Sequence, residues 1–514
     1  MTGLTGPRAL IPEIIQLNAR WLKQKPALVF NDTTLSWTDF GKAISSSAGH
    51  FQSLGAQPGD RVTVIMQNSP DMPVALFGAA QAGLVTAPLN LTVSDEALIR
   101  MIMDAGARFV IATVDQCDRI DALRSKLTCV EHFLCSQPDR PGWTQFAPCQ
   151  LDYAFEPVEI DANQAFNIIY SSGTTGQPKG ILHTHQTRLD WSYALALALR
   201  YHNGAKTLCT LGLYSNISWV MMLCTWLNGG TLVLHPGFDA EKTLSAIASD
   251  RITHTAMVPV QFQRLVDHPA CDKSSLASLQ AVMSCGSALP AELKDQLFKL
   301  MPCGVIELYG LTEGVITTLA PEDAPGRLAS VGKPMPGTDL LLLGEDGNAC
   351  RTGEAGEILA RGSIVMPGYF NRPDANIDAS WAAEDGSTWL RTGDIGKLDD
   401  EGFLYIVDRK KDMIISGGQN IYPADLEAVL LGHPAIKDAA VIGLPDPVWG
   451  ETPAAVIADP EASLPAPNVL LDWANDRLGR RQKLRNLFLL PELPRNPNGK
   501  VLKRELRAMF EQQG

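Results

Sequence analysis

At 514 residues, with 45% hydrophobic and 19% charged, the chain is too rich in apolar residues for general disorder and too long for one core; about 150 residues per unit suggests roughly three folding units. Its formal net charge of −13 excludes broad binding to a phosphate backbone but leaves room for one local anion site. The 10 cysteines include no C-x-x-C pair and no metal-ligand spacing, which suits a reducing compartment.

The first segment, Met1 to Gln24, lacks the basic start and unbroken apolar run of a secretory signal, so a cytoplasmic protein is expected. Residues 61–69 alternate and are rich in β-branched side chains, which predicts a strand; 74–84 predicts a helix, 84–90 a strand and 108–115 another. The long apolar stretch Pro73 to Leu89 is broken by Gln81 and glycines, so it reads as a buried helix running into a strand and no integral membrane association is expected. Strands at 207–213, 230–236 and 279–287 extend the series, and strands alternating with helices imply parallel βαβ units. From about residue 330, short segments separated by Gly-Asp and Gly-Asn turns predict a small antiparallel region. A basic stretch, Asp408-Arg-Lys-Lys-Asp412, precedes an α+β tail in which 421–432 is a helix with Pro423 in its first turn and Gly432 at its end.

The most informative segment is Tyr170-Ser-Ser-Gly-Thr-Thr-Gly-Gln-Pro-Lys-Gly180. Glycines let backbone N–H groups curl around an anion, hydroxyls donate further hydrogen bonds, and the lysine adds a point charge. These are the needs of a polyphosphate, although no G-x-x-x-x-G-K-[ST] pattern fits the segment.

With that loop, the chain resembles the adenylate-forming superfamily of acyl-CoA synthetases, adenylation domains and luciferases. Further matches follow in the superfamily's order: Gly286-Ser-Ala288, Glu307-Leu-Tyr-Gly-Leu-Thr-Glu313, Thr392-Gly-Asp394, Asp408-Arg409 with Ser416-Gly-Gly-Gln-Asn420, and Pro497-Asn-Gly-Lys500. The resemblance implies an α/β fold: a large N-terminal domain (1–410) of βαβ subdomains with a small antiparallel β region, and a mobile α+β C-terminal domain (411–514) carrying the catalytic lysine. It implies that Ser171, Ser172, Gly173, Thr174, Thr175, Gly176 and Lys179 cradle the phosphates of ATP. Gly286, Ser287 and Ala288 would form the adenine-side segment and Tyr309 would pack on the adenine, with Glu307, Leu308 and Gly310 of the same motif also at the nucleotide site. Thr312 would hydrogen-bond the α-phosphate, and Glu313 would hold Mg2+, with Thr174 or a bound water nearby. Asp394 would accept from the ribose hydroxyls with Arg409 assisting, and Lys500 would be the catalytic lysine. Gly417 and Gly418 resemble the turn beside the pantetheine of coenzyme A. Lys500 and that turn serve different half-reactions, so the resemblance places a hinge at Lys411.

The acid pocket is expected at Tyr214, Ser215, Asn216 and Trp219, although an aromatic among apolar residues is more often core. Ser215 stands where relatives often carry histidine, so no relative's substrate transfers directly. No arginine or lysine falls within 211–219, which disfavours a dicarboxylic acid. His183 and His185 read as satisfying backbone groups rather than as catalysts.

The resulting expectation is an acid–CoA ligase using ATP, Mg2+ and coenzyme A on an aryl, arylalkenyl or medium-chain carboxylic acid. A stand-alone enzyme loading a carrier-protein phosphopantetheine is the alternative, with a non-catalytic nucleotide-binding protein behind it. The oligomeric state, a homodimer included, is left open by these residues.

Overall fold

The computed structural model describes residues 9–171, 178–416, 419–447, 449–479, 482–495 and 499–511. Ser172, Gly173, Thr174, Thr175, Gly176, Gly417 and Gly418, all expected at the site, lie outside them. The chain forms two units: residues 1–328, 334–339 and 361–390 make the first, and 329–333, 340–360 and 391–514 the second. The expected boundary after residue 410 falls inside the second unit.

The first unit contains two sheets. In one, Pro26–Phe30, Thr231–Leu234, Lys206–Cys209, His254–Met257, Ala281–Ser284 and Ile306–Gly310 lie side by side in that order, all parallel, and Ile316–Leu319 adds antiparallel to the last. In the other, Arg61–Ile65 has Val85–Pro88 and Phe109–Ala112 as parallel neighbours, and Ala165–Ser171 pairs with Val85–Pro88. The hairpin partner Lys179–Thr184 then carries the short strand Gly368–Tyr369 on its far side.

Strands 231–234, 254–257 and 281–284 are buried at every position, as parallel strands covered on both faces must be. The helix Asp71–Gln81 is buried from Met72 to Gln81, which is why its sequence shows no polar face. It ends before the strand Val85–Pro88, so the stretch 73–89 is a helix and a strand in series. Among the described residues no helix is long and apolar enough to cross a membrane. Aromatic side chains knit the core, with Phe77 set against Trp219 and Trp226, and Phe166 edge-on to Trp219.

In the second unit, Ala439–Asp446 pairs antiparallel with Gly450–Ala458, and Asn486–Leu490 adds parallel to the latter. Side chains alternate across this sheet. Val441, Ala455 and Ile457 enter one core with Leu426, Leu430 and Leu470, while Ala440, Ile442 and Leu444 enter another with Leu506 and Phe510. The helix Pro423–Leu431 has Pro423 at its first turn and Gly432 at its end, the latter right-handed at φ −70°. A further ladder pairs Ile395 to Leu398 with Leu404 to Asp408, and ends on the pair Asp394 and Arg409.

Candidate active site

Parallel strands 206–209, 254–257, 281–284 and 306–310 finish at one edge of their sheet, and open α/β sheets bind ligands beyond the carboxyl ends of their strands. Tyr214, Gly286 and Glu313 all follow such an end.

The strand Ile306–Gly310 returns through a tight turn. Leu311 N donates to Val315 O at 3.0 Å and Gly314 N to Leu311 O at 3.1 Å. Gly314 is required there: its φ is +108°, and a Cβ would lie 2.1 Å from Ile364 O. The turn is also held from outside. Met366 N donates to Glu313 O at 2.8 Å, and His183 Nε2 donates to Thr312 O at 2.8 Å. Burial and the Arg188 charge hold His183 well below its ordinary range, so the ring is neutral and its one N–H points at that carbonyl.

The Glu313 side chain accepts from Tyr369 Oη at 3.0 Å. Burial, and then the Glu313 charge, push Tyr369 upward, so it stays a donor. Lys179 Nζ sits 4.9 Å from the centre of the Tyr369 ring. Lys179, Tyr369 and Glu313 therefore form one cluster. Ser171 and Lys179 are register partners in the hairpin, so the loop expected to bind phosphates leaves and returns at one place. Tyr170, at the base of that loop, donates to Asp104 Oδ2 at 2.8 Å, and Asp104 also pairs with Arg372.

Glu307 faces inward. It is 5% exposed, forms an ion pair with Lys294 and accepts from Leu289 N at 3.2 Å. Burial raises its pKa and Lys294 opposes that shift. Its carboxylate thus anchors the segment after Gly286, Ser287 and Ala288 rather than facing that edge. Leu308, Tyr309 and Gly310 pair in register with Thr318, Thr317 and Ile316.

Of the expected acid-pocket residues, Ser215 accepts from Ile217 N at 3.3 Å and so caps the helix Asn216–Leu227. Trp219 is 1% exposed and part of the core. Tyr214 folds back over Gly212, where a Cβ would meet its ring at 2.3 Å. Asn68 pins this stretch by donating to Leu211 O and His235 O, each at 2.9 Å, and accepting from Leu213 N at 3.0 Å.

In the second unit Arg409 Nε lies 3.1 Å from Asp394 Oδ1, and the Asp394 side chain is 4% exposed. Thr392 shapes the turn before it, accepting from Asp394 N at 3.0 Å and donating to Ile358 O at 2.7 Å. Lys500 is lowered to about 8 by burial and then by Arg409, with Asp394 and Asp412 opposing the shift. The structure thus brings Asp394, Arg409 and Lys500 into one electrostatic neighbourhood. Lys411 lies in the turn after the strand Leu404–Arg409, where Asp412 N and Met413 N donate to Arg409 O at 2.9 and 3.0 Å.

Tyr369, Asp104, Arg372 and Asn68 escaped the sequence reading. None belongs to a run of glycines, hydroxyls or charges, and each acquires its partner only through the fold.

Residues 15–370 match the family described as AMP-binding enzyme, and residues 425–500 match the AMP-binding enzyme C-terminal domain. The chain is 32% identical over 492 residues to the long-chain-fatty-acid–CoA ligase FadD13 of Mycobacterium tuberculosis, covering 93% of this chain and 94% of that one. It is 32% identical over 502 residues to a feruloyl-CoA synthase of Amycolatopsis sp, covering 96% and 97%. Among solved structures, ATP-bound MatB from Rhodopseudomonas palustris superposes with a TM-score of 0.88 at 26% identity, covering 98% of this chain and 100% of that one. The o-succinylbenzoate CoA synthetase of Bacillus subtilis with its acyl-adenylate intermediate gives 0.84 at 28% identity, covering 96% and 97%. With a family match spanning most of its length and relatives aligned nearly end to end, the chain belongs to the AMP-binding enzyme family.

Proposed function

We propose that the protein is an AMP-forming acid–CoA ligase whose substrate is an aryl, arylalkenyl or medium-chain carboxylic acid. The observation that carries this reading is the Glu313 turn, fixed by His183, Met366 and Tyr369 and set beside Lys179. Its relatives' names, acid–CoA ligases at 32% identity, point the same way.

In the first half-reaction a carboxylate oxygen attacks the α-phosphorus of ATP. The bond from that phosphorus to the bridging oxygen breaks, and pyrophosphate leaves with its electron pair. Two anions about 4 Å apart at an effective dielectric near 20 repel by about 4 kcal/mol. Cancelling that repulsion is worth about three powers of ten in rate. Lys179 and Lys500 supply positive charge, and Thr312 supplies a hydroxyl donor to the α-phosphate. Asp394 and Arg409 hold the ribose. In the second half-reaction the thiolate of coenzyme A attacks the acyl carbon and AMP leaves.

Glu313 fits one hard-oxygen ligand of Mg2+, already oriented by the Tyr369 hydroxyl. When bound, such an ion neutralises charge on the phosphates. Lys500 acts in the first half-reaction and the turn at Gly417 and Gly418 in the second, so the segment after Lys411 swings between two poses.

The test is pyrophosphate release over a panel of carboxylic acids, with and without coenzyme A. Release for some acids, with acyl-CoA formed when coenzyme A is present, is expected. Silence across the panel overturns the reading. Adenylate that accumulates without transfer to coenzyme A, but moves to a carrier-protein phosphopantetheine, replaces it with the carrier alternative.

A further inference from the structure

Arg188 lies on the helix His185–Ala198 and is 0% exposed. Its Nε donates to Asn167 Oδ1 at 3.1 Å. Its guanidinium carbon stands 4.7 Å from the Trp191 ring centre and 5.6 Å from that of Trp219. The two terminal nitrogens, Nη1 and Nη2, meet no acceptor among the described residues. Asn167 Nδ2 and Trp219 Nε1, both donors, are buried beside it in the same condition. Three unpartnered donor groups thus sit on residues linked by the Arg188–Asn167 hydrogen bond and the Arg188–Trp219 ring contact, and His183 Nδ1, an unpartnered acceptor near them, is a neutral nitrogen that carries no counter-charge.

A guanidinium keeps its proton at neutral pH. Burial lowers Arg188 only to about 9, and no carboxylate offsets that shift. Buried charge without a counter-ion is strongly disfavoured, and buried donors are ordinarily satisfied. The arrangement asks for an anion with two oxygens, to which the fork of a guanidinium is matched. The position says where that anion belongs. Arg188 is close enough to His183 to depress it, and His183 donates to the carbonyl of Thr312. It also lies near Trp219, on the first turns of the helix that begins at the expected acid pocket.

We propose that Arg188, with Asn167 and Trp219, receives a second carboxylate of the acid substrate, so that the protein activates dicarboxylic acids. One carboxylate of such an acid reacts with ATP and the other is buried against the guanidinium. The proposal rests on the acid-activating reading above and narrows its substrate class. The stretch 211–219 argued against a second carboxylate because it holds no cation; the cation comes instead from a helix outside that stretch.

The experiment compares kcat/KM for pyrophosphate release by the full-length protein on matched pairs: linear monoacids against their α,ω-diacids, and aromatic monoacids against carboxyl-substituted forms. For the best-fitting length the diacid exceeds its monoacid by about 30-fold or more, the scale of a buried charge-assisted contact. Arg188→Met brings that ratio to one or below, and Arg188→Lys retains part of it. The ratio is insensitive to a general loss of folded protein, and the wild-type ratio decides even if Arg188→Met is insoluble. Wild-type protein that favours the monoacid of every pair overturns the proposal, the donors then being met by trapped water, and leaves the ligase reading intact. Absence of pyrophosphate with every acid removes both.

Discussion

Lys500 titrates where its charge matters. Burial and Arg409 lower it to about 8, so it is a cation below that pH and loses its charge as pH rises through it. If that charge drives adenylation, pyrophosphate release falls on the alkaline side of about 8. Lys500→Arg, which keeps a charge at any working pH, flattens that fall even where its rate is lower. An unchanged alkaline limb in Lys500→Arg would assign the titration to another group. Tyr369 offers a second check. Tyr369→Phe deletes the hydrogen bond to Glu313, and one such bond to a charged group is worth about 1.5 kcal/mol. About a tenfold loss in kcat/KM for ATP is expected, with more Mg2+ needed for half-maximal rate. Equal Mg2+ titrations for both proteins would detach Tyr369 from the metal ligand.

The turn at 311–315 shows what an element contributes. Gly314→Ala drives a Cβ to within 2.1 Å of Ile364 O at a φ of +108°. A loss of about 2–3 kcal/mol is expected from the denaturant midpoint. Gly347→Ala, at φ +80° with nothing within 4 Å, serves as the control and costs about 1 kcal/mol. Similar losses at both positions would mean that the clash with Ile364 is relieved. Elements of this kind were readable in advance where periodicity is strong. The strands near 61, 85, 109, 207, 231 and 281 lie where alternation and apolar runs put them, and the helix expected at 74–84 is present three residues earlier, at Asp71–Gln81. The Y-G-L-T-E segment was legible for a different reason: it resembles a pattern of the adenylate-forming superfamily, which its composition and spacing alone do not reveal. Tyr369 and Arg188 were not legible, because a lone tyrosine and an arginine on a helix look like surface residues until the fold gives the one its Glu313 partner and buries the other. Trp219 carried its ambiguity openly: its ring is 1% exposed and packs in the core, while its indole N–H has no partner among the described residues.

At the scale of the molecule, each unit has its own apolar core, and the residues expected for the two half-reactions are divided between the units. Lys500→Ala should abolish acyl-adenylate formation while thioester formation from supplied acyl-adenylate persists, read as two separate rates. Equal loss of both would contradict a lysine confined to the first step. The ion pair between Arg372 and Asp104 has a further consequence. It joins residues 268 positions apart, and Asp104 is the group that receives the Tyr170 hydroxyl. A ribosome adding roughly 5–20 residues per second needs on the order of ten seconds to a minute to cover that interval. During translation the hairpin of residues 165–184 is therefore made before the arginine that pairs with Asp104 exists, so this ion pair can join the fold only late.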